Sequence, residues 1–257
     1  MREDRRIDLG GHALFGRIEG AGRREFLCLH GLVDTLEIWD RMAPALAQRG
    51  RVTRIDQRGH GRSDAPPGPY SREALARDVI GVLDGLGIER AILVGHSMGG
   101  IVAMTTALAH PRRIEGLVLI GTASHCNERT ARWYERIALA GERDGTDGLA
   151  RAIYGERSRK SIEGDARGIA HVTRTLKSLY DDPLTPALAH LACPALLVVG
   201  EKDPMGPRAS ESILEAMPPG RGTLKVIPSC GHWVHVEAPD VILEALDRGL
   251  EGGGSPA

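Results

Sequence analysis

The stretch Gly95-His96-Ser97-Met98-Gly99 lies between an apolar segment at residues 91–94 and an apolar helical pattern that begins near Met98. In this context the G-x-S-x-G pattern predicts a nucleophile elbow, a sharp strand-to-helix turn that presents the serine hydroxyl. Glycines at both ends suit a turn where backbone segments approach closely. The pattern is short, so its meaning depends on residues elsewhere in the chain.

Short apolar segments alternate with helical patterns along most of the chain. Strands so uniformly apolar are typical of a parallel sheet covered by helices on both faces. Right-handed crossovers bring the loops that follow such strands to one edge. The sequence therefore predicts an α/β fold with a mostly parallel central sheet. Strands are predicted at 26–29, 52–55, 91–94, 117–120, 195–199 and 223–227, and helices at 36–48, 71–86, 98–109 and 239–250.

The alternation is interrupted once, at residues 124–189, which show helical patterns near 130–140 and 168–180 but no convincing strand. Such an insertion after a sheet strand is interpreted either as a lid over the active edge or as an ordinary surface layer of helices. Residues 1–123 and 190–251 form the predicted core. The Gly-rich residues 252–257 are predicted to be a flexible tail.

Partners for Ser97 follow two of the later predicted strands. A serine hydroxyl needs a base to accept its proton, and the base needs an acid that orients it. Asp203 follows the strand at 195–199, and His232 follows the strand at 223–227. The order Ser, Asp, His is the one expected of this elbow.

Each of these two assignments has an alternative nearby in the sequence. His235 lies three residues beyond His232, which we prefer because it comes just after the strand and a glycine. Glu201 is the alternative to Asp203, but it lies nearer the strand end. His96, next to Ser97, is expected to pack and form hydrogen bonds and not to serve as a second base.

Two backbone N–H groups are candidates for an oxyanion hole, which stabilises the charge that develops during acyl transfer. Met98 begins the helix after Ser97, where the helix dipole favours negative charge. The second donor is expected in the loop after the strand at 26–29, where Gly31 allows close approach of the backbone. The N–H of Leu32 is the best candidate there.

Composition restricts the class of protein and its partners. The chain has 257 residues, of which 42% are apolar and 26% charged, which fits one globular domain with a sizeable core. A net charge of −1 indicates no nucleic-acid partner. The N-terminus lacks the apolar region of a signal peptide, and no apolar run approaches the ~20 residues needed to span a membrane.

Cysteine usage adds a further expectation. The four cysteines lie far apart and form neither a C-x-x-C metal motif nor a disulfide framework, so a reducing cytoplasm is the expected compartment. The predicted chemistry requires no cofactor and no metal. Nothing in the sequence indicates an oligomeric state. The cysteines are Cys28, Cys126, Cys193 and Cys230.

Taken together, these segments make the chain resemble an α/β-hydrolase. The resemblance implies Ser97 as nucleophile, His232 as base, Asp203 as orienting acid, and Leu32 and Met98 as oxyanion donors, and it favours the lid interpretation. In the family the stretch 58–64 is mainly a structural turn, so His60 and Arg62 are left out of the site. The resemblance is carried by Leu29-His30-Gly31, by residues 56–64, by Gly95-His96-Ser97-Met98-Gly99-Gly100, by Gly200-Glu201-Lys202-Asp203-Pro204 and by residues 231–239.

Within that family the chain most resembles 3-oxoadipate enol-lactonases and small carboxylesterases. A serine at the elbow argues against haloalkane dehalogenases and epoxide hydrolases, which use Asp there. The expected function is hydrolysis of a small carboxylic ester or lactone through an acyl-enzyme on Ser97. Hydrolysis of a carbon–carbon bond in a meta-cleavage product is the alternative, and a binding protein on the same scaffold is a third possibility. Expected pocket walls are Trp39, His96, Trp133, Tyr134 and Trp233.

Overall fold

The computed structural model describes residues 2–249. None of the helices within these residues is long and apolar enough to cross a membrane. The strands are β1 (Arg2–Asp8), β2 (Ala13–Gly20), β3 (Glu25–Leu29), β4 (Arg51–Ile55), β5 (Ala91–His96), β6 (Ile114–Ile120), β7 (Ala195–Gly200) and β8 (Gly222–Ile227). The α-helices are α1 (Ala43–Leu46), α2 (Arg72–Gly85), α3 (Met98–Ala109), α4 (Glu128–Tyr154), α5 (Ala166–Lys177), α6 (Pro207–Ala216), α7 (Val234–Glu237) and α8 (Pro239–Gly249). Short 3₁₀ helices occupy Leu36–Trp39, Pro111–Arg113 and Thr185–His190.

All eight strands form one sheet, in the order β1-β2-β4-β3-β5-β6-β7-β8. The pairs β1–β2 and β2–β4 are antiparallel, and every other neighbouring pair is parallel. The predicted fold, a mostly parallel sheet flanked by helices, is therefore confirmed. The carboxyl ends of β3, β5, β6, β7 and β8 meet at one edge, where the loops that carry the predicted site begin.

The inner strands separate two layers of apolar side chains. Successive residues of a strand point to opposite faces, and in β3 Leu27 and Leu29 pack into one core cluster while Phe26 and Cys28 pack into the other. Every residue of β5 is buried. This burial on both faces explains why the inner strands could be predicted from uninterrupted apolar runs.

The β1–β2 hairpin was not predicted from the sequence. In β1 only Ile7 is buried, so the strand has no apolar alternation that would reveal it. Hydrogen bonds to β2 stabilise β1 instead, together with ion pairs across the hairpin such as the one between Arg17 and Asp4 at 2.6 Å. At the opposite edge, Ile227 is the one buried residue of β8, although the sequence of this strand led us to expect burial on both faces.

The helix predicted at 36–48 is divided in two. A 3₁₀ turn at Leu36–Trp39 is followed by the short α1, which begins next to Pro44. Proline lacks the N–H that would extend a preceding helix and fits the first turn of a new one. By contrast, α3 has the bounds that the sequence predicted.

Residues 124–189, between β6 and β7, contain α4 and α5 and no strand of the sheet. The helix α4 extends well beyond the predicted segment and bends at Gly145, whose φ of 66° is not helical. Side chains from both helices form a small core of their own, which includes Ile137, Leu149 and Ile169, and Val33 from the loop after β3 packs against them. The predicted tail at 252–257 lies outside the described residues.

Candidate active site

Ser97 occupies the turn between β5 and α3, and its backbone is strained. Its φ is 51°, in the left-handed region that residues other than glycine rarely adopt. The N–H of Ser97 donates to the carbonyl of Ile120 at 2.9 Å, and its own carbonyl accepts from the hydroxyl of Thr122 at 2.7 Å. Bonds to the next strand and to the loop after it thus hold the turn in this conformation.

Close packing of the backbone behind the turn requires Gly99. A methyl group on Gly99 would collide with the carbonyl oxygen of Leu29, at the end of β3. The first turn of α3 therefore lies directly against the loop that leaves β3. This contact brings the predicted oxyanion donors, on Leu32 and Met98, to the same edge of the sheet.

Asp203 and His232 form a hydrogen-bonded pair beside Ser97. Nδ1 of His232 donates to Oδ2 of Asp203 at 2.8 Å, and Oδ1 of Asp203 accepts from the N–H of Met205, also at 2.8 Å. The side chain of Asp203 is fully buried, while that of His232 is 18% exposed. With its Nδ1 proton held by the carboxylate, the imidazole has Nε2 available as a proton acceptor.

Gly121 leaves room for this pair. It lies just after β6 with a φ of 51°. A methyl group there would lie 2.9 Å from Oδ2 of Asp203 and 3.2 Å from Nδ1 of His232. Any larger residue would therefore press on both partners of the hydrogen bond.

The two alternatives weighed from the sequence lie in different surroundings. His235 is fully buried, with its ring 4.3 Å from that of His96, and neither ring nitrogen has a hydrogen-bond partner within the described residues. Burial lowers the pKa of His235 well below its ordinary value. Glu201 is exposed and accepts from the N–H of Ser229 at 2.9 Å. Neither side chain contacts the larger cavity beside Ser97.

The N–H groups of Leu32 and Met98 are both unused. Within residues 2–249, no acceptor is hydrogen-bonded to either of them. Met98 is the first residue of α3, and the N–H groups of a first helical turn have no partner inside the helix. Leu32 lines the larger cavity together with Ser97.

A buried pair, His30 and Gln57, anchors the loop that carries Leu32. Nδ1 of His30 donates to the carbonyl of Gly31 at 2.7 Å, and its Nε2 accepts from the backbone N–H of Gln57 at 2.9 Å. The amide of Gln57 donates to the carbonyl of His30 at 2.8 Å. Burial lowers the pKa of His30, which favours the neutral ring that this arrangement needs. Sequence reasoning missed this anchor, because the two residues meet only when β3 and β4 pair.

His96 supports the loop of the predicted base. Its Nε2 donates to the carbonyl of His232 at 3.1 Å, which agrees with the hydrogen-bonding role expected from the sequence. Its Nδ1 is buried, has no hydrogen-bond partner among the described residues, and lies 3.7 Å from Oδ2 of Asp34. Asp34, which the sequence analysis did not single out, also lines the larger cavity.

Two adjoining cavities meet at Ser97. The larger has a volume of about 640 Å³ and contacts His232 and Leu32 as well as Ser97. The smaller has a volume of about 410 Å³ and extends from Ser97 toward α6. The helix α4 contributes walls to both, among them Tyr134.

Of the predicted pocket residues, His96, Trp133, Tyr134 and Trp233 line the larger cavity. Trp39 does not, and this prediction is wrong. The Trp39 side chain is fully buried in the core layer that contains Phe26, with its ring 4.6 Å from His235. It lies in the 3₁₀ turn after β3, which directs it into the core and away from the cavity.

The stretch 58–64 forms a turn, as the family resemblance implied. The Asp56 carboxylate accepts from the backbone N–H of Leu36 at 2.7 Å and of Arg62 at 3.0 Å. His60 is buried against His30, and burial lowers the pKa of His60 to about 3. The guanidinium of Arg62 pairs with Glu37 at 2.6 Å. These contacts are structural and do not reach either cavity.

This arrangement can support acyl transfer. It combines a hydroxyl on a strained turn, an imidazole held by a buried carboxylate, and the N–H groups of Met98 and Leu32, neither of which has an acceptor within residues 2–249; Leu32 lines the larger cavity. Those groups are the ones that nucleophilic attack on a carbonyl needs. Within residues 2–249, no group of three His, Cys, Asp or Glu side chains is placed to hold a metal ion.

Relatives identified by sequence carry several hydrolytic activities. The chain is 27% identical to 2-(acetamidomethylene)succinate hydrolase from Mesorhizobium japonicum, over 96% of this chain and 95% of the relative. It is 28% identical to 3-oxoadipate enol-lactonase 2 from Acinetobacter baylyi, over 92% of this chain and 91% of the relative. Both proteins are hydrolases by name, and the second is the kind of enzyme that the sequence motifs indicated.

A solved structure and a family model agree with these relatives. The enol-lactonase from Burkholderia xenovorans LB400 superimposes with a TM-score of 0.84 at 28% identity, covering 96% of this chain and 100% of that one. The model of the alpha/beta hydrolase family matches residues 26–245, which include every predicted site residue. The chain therefore belongs to the alpha/beta hydrolase family.

Proposed function

We propose that this hydrolase cleaves a small carboxylic ester or lactone through an acyl-enzyme on Ser97. The observation that carries the proposal is the hydrogen-bonded pair of Asp203 and His232, which lines the same cavity as the Ser97 hydroxyl. The enol-lactonase relatives support a lactone or ester as substrate class.

In the proposed reaction, Ser97 attacks the substrate carbonyl carbon while Nε2 of His232 accepts the hydroxyl proton. Asp203 stabilises the resulting imidazolium through Nδ1. The bond to the leaving alcohol then breaks, and His232 returns the proton to the alcohol oxygen. Water, deprotonated by His232, cleaves the acyl-enzyme, and the proton passes back to Ser97. For a lactone, the alcohol and the acid remain joined in one product.

The N–H groups of Leu32 and Met98 are proposed to bind the oxyanion of each tetrahedral intermediate. Neither has another acceptor within the described residues, so both can donate without breaking an existing bond. Loss of one such donor typically costs ~3 kcal/mol of transition-state stabilisation. The anchoring of the Leu32 loop by His30 and Gln57 keeps one donor in position before substrate arrives.

Residues 124–189 are proposed to act as the lid, with residues 1–123 and 190–251 as the core. Side chains of α4 and α5, among them Trp133, Tyr134 and Leu176, line the larger cavity opposite Ser97. The lid would thereby exclude bulk water and select the substrate by shape. A volume of about 640 Å³ suits a small molecule.

The first experiment compares the wild-type enzyme with Ser97→Ala on p-nitrophenyl acetate and p-nitrophenyl butyrate, followed by a panel of lactones. We expect Ser97-dependent turnover, with His232→Ala as defective as Ser97→Ala. Equal turnover by the wild type and Ser97→Ala would reject the mechanism. A dienoate ring-fission product serves as a further substrate, since preferential hydrolysis of its carbon–carbon bond would replace ester hydrolysis as the function.

A further inference from the structure

The smaller cavity differs in charge from the larger one. Its walls include Ser97, His125, Asn127, Thr130, Arg208 and Ser212. Its walls include the guanidinium of Arg208, and no Asp or Glu of the described residues is among them. The larger cavity, by contrast, is lined by the carboxylates of Asp34 and Glu237 and by Lys202, as well as by the proposed triad residues. The two ends of a substrate that spans Ser97 therefore meet different electrostatic surroundings.

Arg208 is available for a ligand. It lies at the start of α6, a few residues after Asp203, and its side chain is exposed. Within residues 2–249, no carboxylate forms an ion pair with it, whereas many other arginines of this chain are paired, such as Arg17, Arg54 and Arg58. In the cavity that Ser97 also lines, a guanidinium without a carboxylate partner among the described residues offers two parallel N–H donors to an anion.

Neighbouring side chains of the smaller cavity can add donors. Oδ1 of Asn127 accepts from both the N–H and the hydroxyl of Thr130, at 2.9 and 3.1 Å. Its oxygen is thus engaged at the start of α4, and the amide NH₂ group remains as a donor. The hydroxyl of Ser212, from the second turn of α6, lines the same space.

We propose that the smaller cavity binds a carboxylate group of the substrate through Arg208. This inference rests on the proposed function and narrows its substrate to an ester or lactone that carries a second, ionised carboxylate. A carboxylate fits better than a phosphate, because a single guanidinium balances one negative charge and its planar fork matches the two carboxylate oxygens. The uncharged remainder of the substrate then occupies the larger cavity, among Trp133, Tyr134 and Trp233.

The experiment compares two matched pairs of esters in the wild type, in Arg208→Gln and in Lys202→Gln. One pair places the charge on the acyl side, p-nitrophenyl hydrogen glutarate against p-nitrophenyl pentanoate. The other places it on the alcohol side, 3-butanoyloxypropanoate against propyl butanoate. Lys202→Gln is the matched control, because Lys202 is also an exposed cation but lines only the larger cavity.

We expect wild-type kcat/KM to favour the charged member of one pair by about five- to tenfold, a range set by an exposed but bidentate ion pair. Arg208→Gln should remove this preference mainly by raising KM for the charged ester, while Lys202→Gln keeps the preference. The absence of a preference in both pairs, or its survival in Arg208→Gln, would overturn the proposal.

Failure of the proposed function is distinguishable from failure of this inference. Ser97-dependent turnover of neutral esters without a charge preference rejects only the carboxylate site. If no ester is turned over, glutarate is titrated into the wild type, Arg208→Gln and Lys202→Gln by calorimetry. Saturable binding that only Arg208→Gln loses supports the site independently of turnover, and no binding, or equal binding by all three, rejects it.

Discussion

Gly121→Ala should separate the geometry of the proposed triad from the stability of the fold. The residue has a φ of 51°, and an alanine in this left-handed region costs about 1–2 kcal/mol. In a protein of this size, 1 kcal/mol corresponds to roughly 2–4 °C in Tm. The backbone conformation alone therefore predicts a fall in Tm of about 5 °C.

The effect on activity should be larger than the effect on stability. The added methyl would lie 2.9 Å from Oδ2 of Asp203 and 3.2 Å from both Nδ1 and the carbonyl oxygen of His232. Relief of these contacts must displace one partner of the 2.8 Å hydrogen bond between the two side chains. Displacement of a catalytic group by up to ~1 Å can cost about a hundredfold in rate, so we expect kcat/KM to fall about 10- to 100-fold.

Gly87→Ala is the matched control for this experiment. Gly87 has a φ of 66°, and a methyl there would meet no atom within 4 Å. It should lower Tm by a similar amount and leave kcat/KM unchanged. Thermal unfolding and p-nitrophenyl butyrate hydrolysis measure both quantities on both variants. If Gly121→Ala keeps wild-type kcat/KM, or if Gly87→Ala loses activity equally, the reasoning about the Asp203–His232 pair is refuted.

Three further predictions concern the acid, the base and the response to pH. Asp203→Asn should lower kcat by about 10⁴-fold, whereas Glu201→Gln, which alters only the exposed contact to Ser229, should keep kcat within about twofold of wild type. Steady-state kinetics of the two variants decides between the two acids, and a larger loss of kcat in Glu201→Gln would move the role of orienting acid to Glu201. His235→Phe should retain activity and raise the free energy of unfolding by about 1 kcal/mol, because it removes two buried ring nitrogens that have no hydrogen-bond partner within residues 2–249. Urea unfolding measures this change, and loss of turnover with an intact fold would transfer the role of base to His235. Burial lowers the pKa of His60 in the folded state from 6.5 to about 3, so the unfolded chain takes up the proton first and the free energy of unfolding falls as the pH drops below about 6.5. Between pH 7.5 and pH 5.0, the free energy of unfolding measured in urea should fall by about 2 kcal/mol less in His60→Gln than in the wild type. Equal pH dependence of the two proteins would contradict the buried, neutral state of His60.

The site residues that the sequence predicted are those tied to the ends of strands. Ser97, Asp203 and His232 each follow an apolar segment, and parallel strands bring such positions to one edge whatever the details of packing. The same reasoning gave the bounds of α3, because its apolar pattern is continuous and begins at the elbow.

Features that depend on tertiary contact left no local signal. His30 and Gln57 lie 27 residues apart and meet only through the pairing of β3 with β4. Trp39 was expected to line the pocket, but a 3₁₀ turn directs it into the core, and side-chain direction in a loop has no periodicity from which it can be predicted. The strand β1 is charged and exposed, and so resembles a solvated segment in sequence.

The most direct measurement of the central claim is covalent labelling of Ser97 by a fluorophosphonate, followed by intact-mass analysis and peptide mapping. We predict one adduct per chain, on Ser97, formed rapidly by the wild type, slowly by His232→Ala and not at all by Ser97→Ala. Labelling at another residue, or equal labelling of Ser97→Ala, would contradict the assignment of Ser97 as the nucleophile.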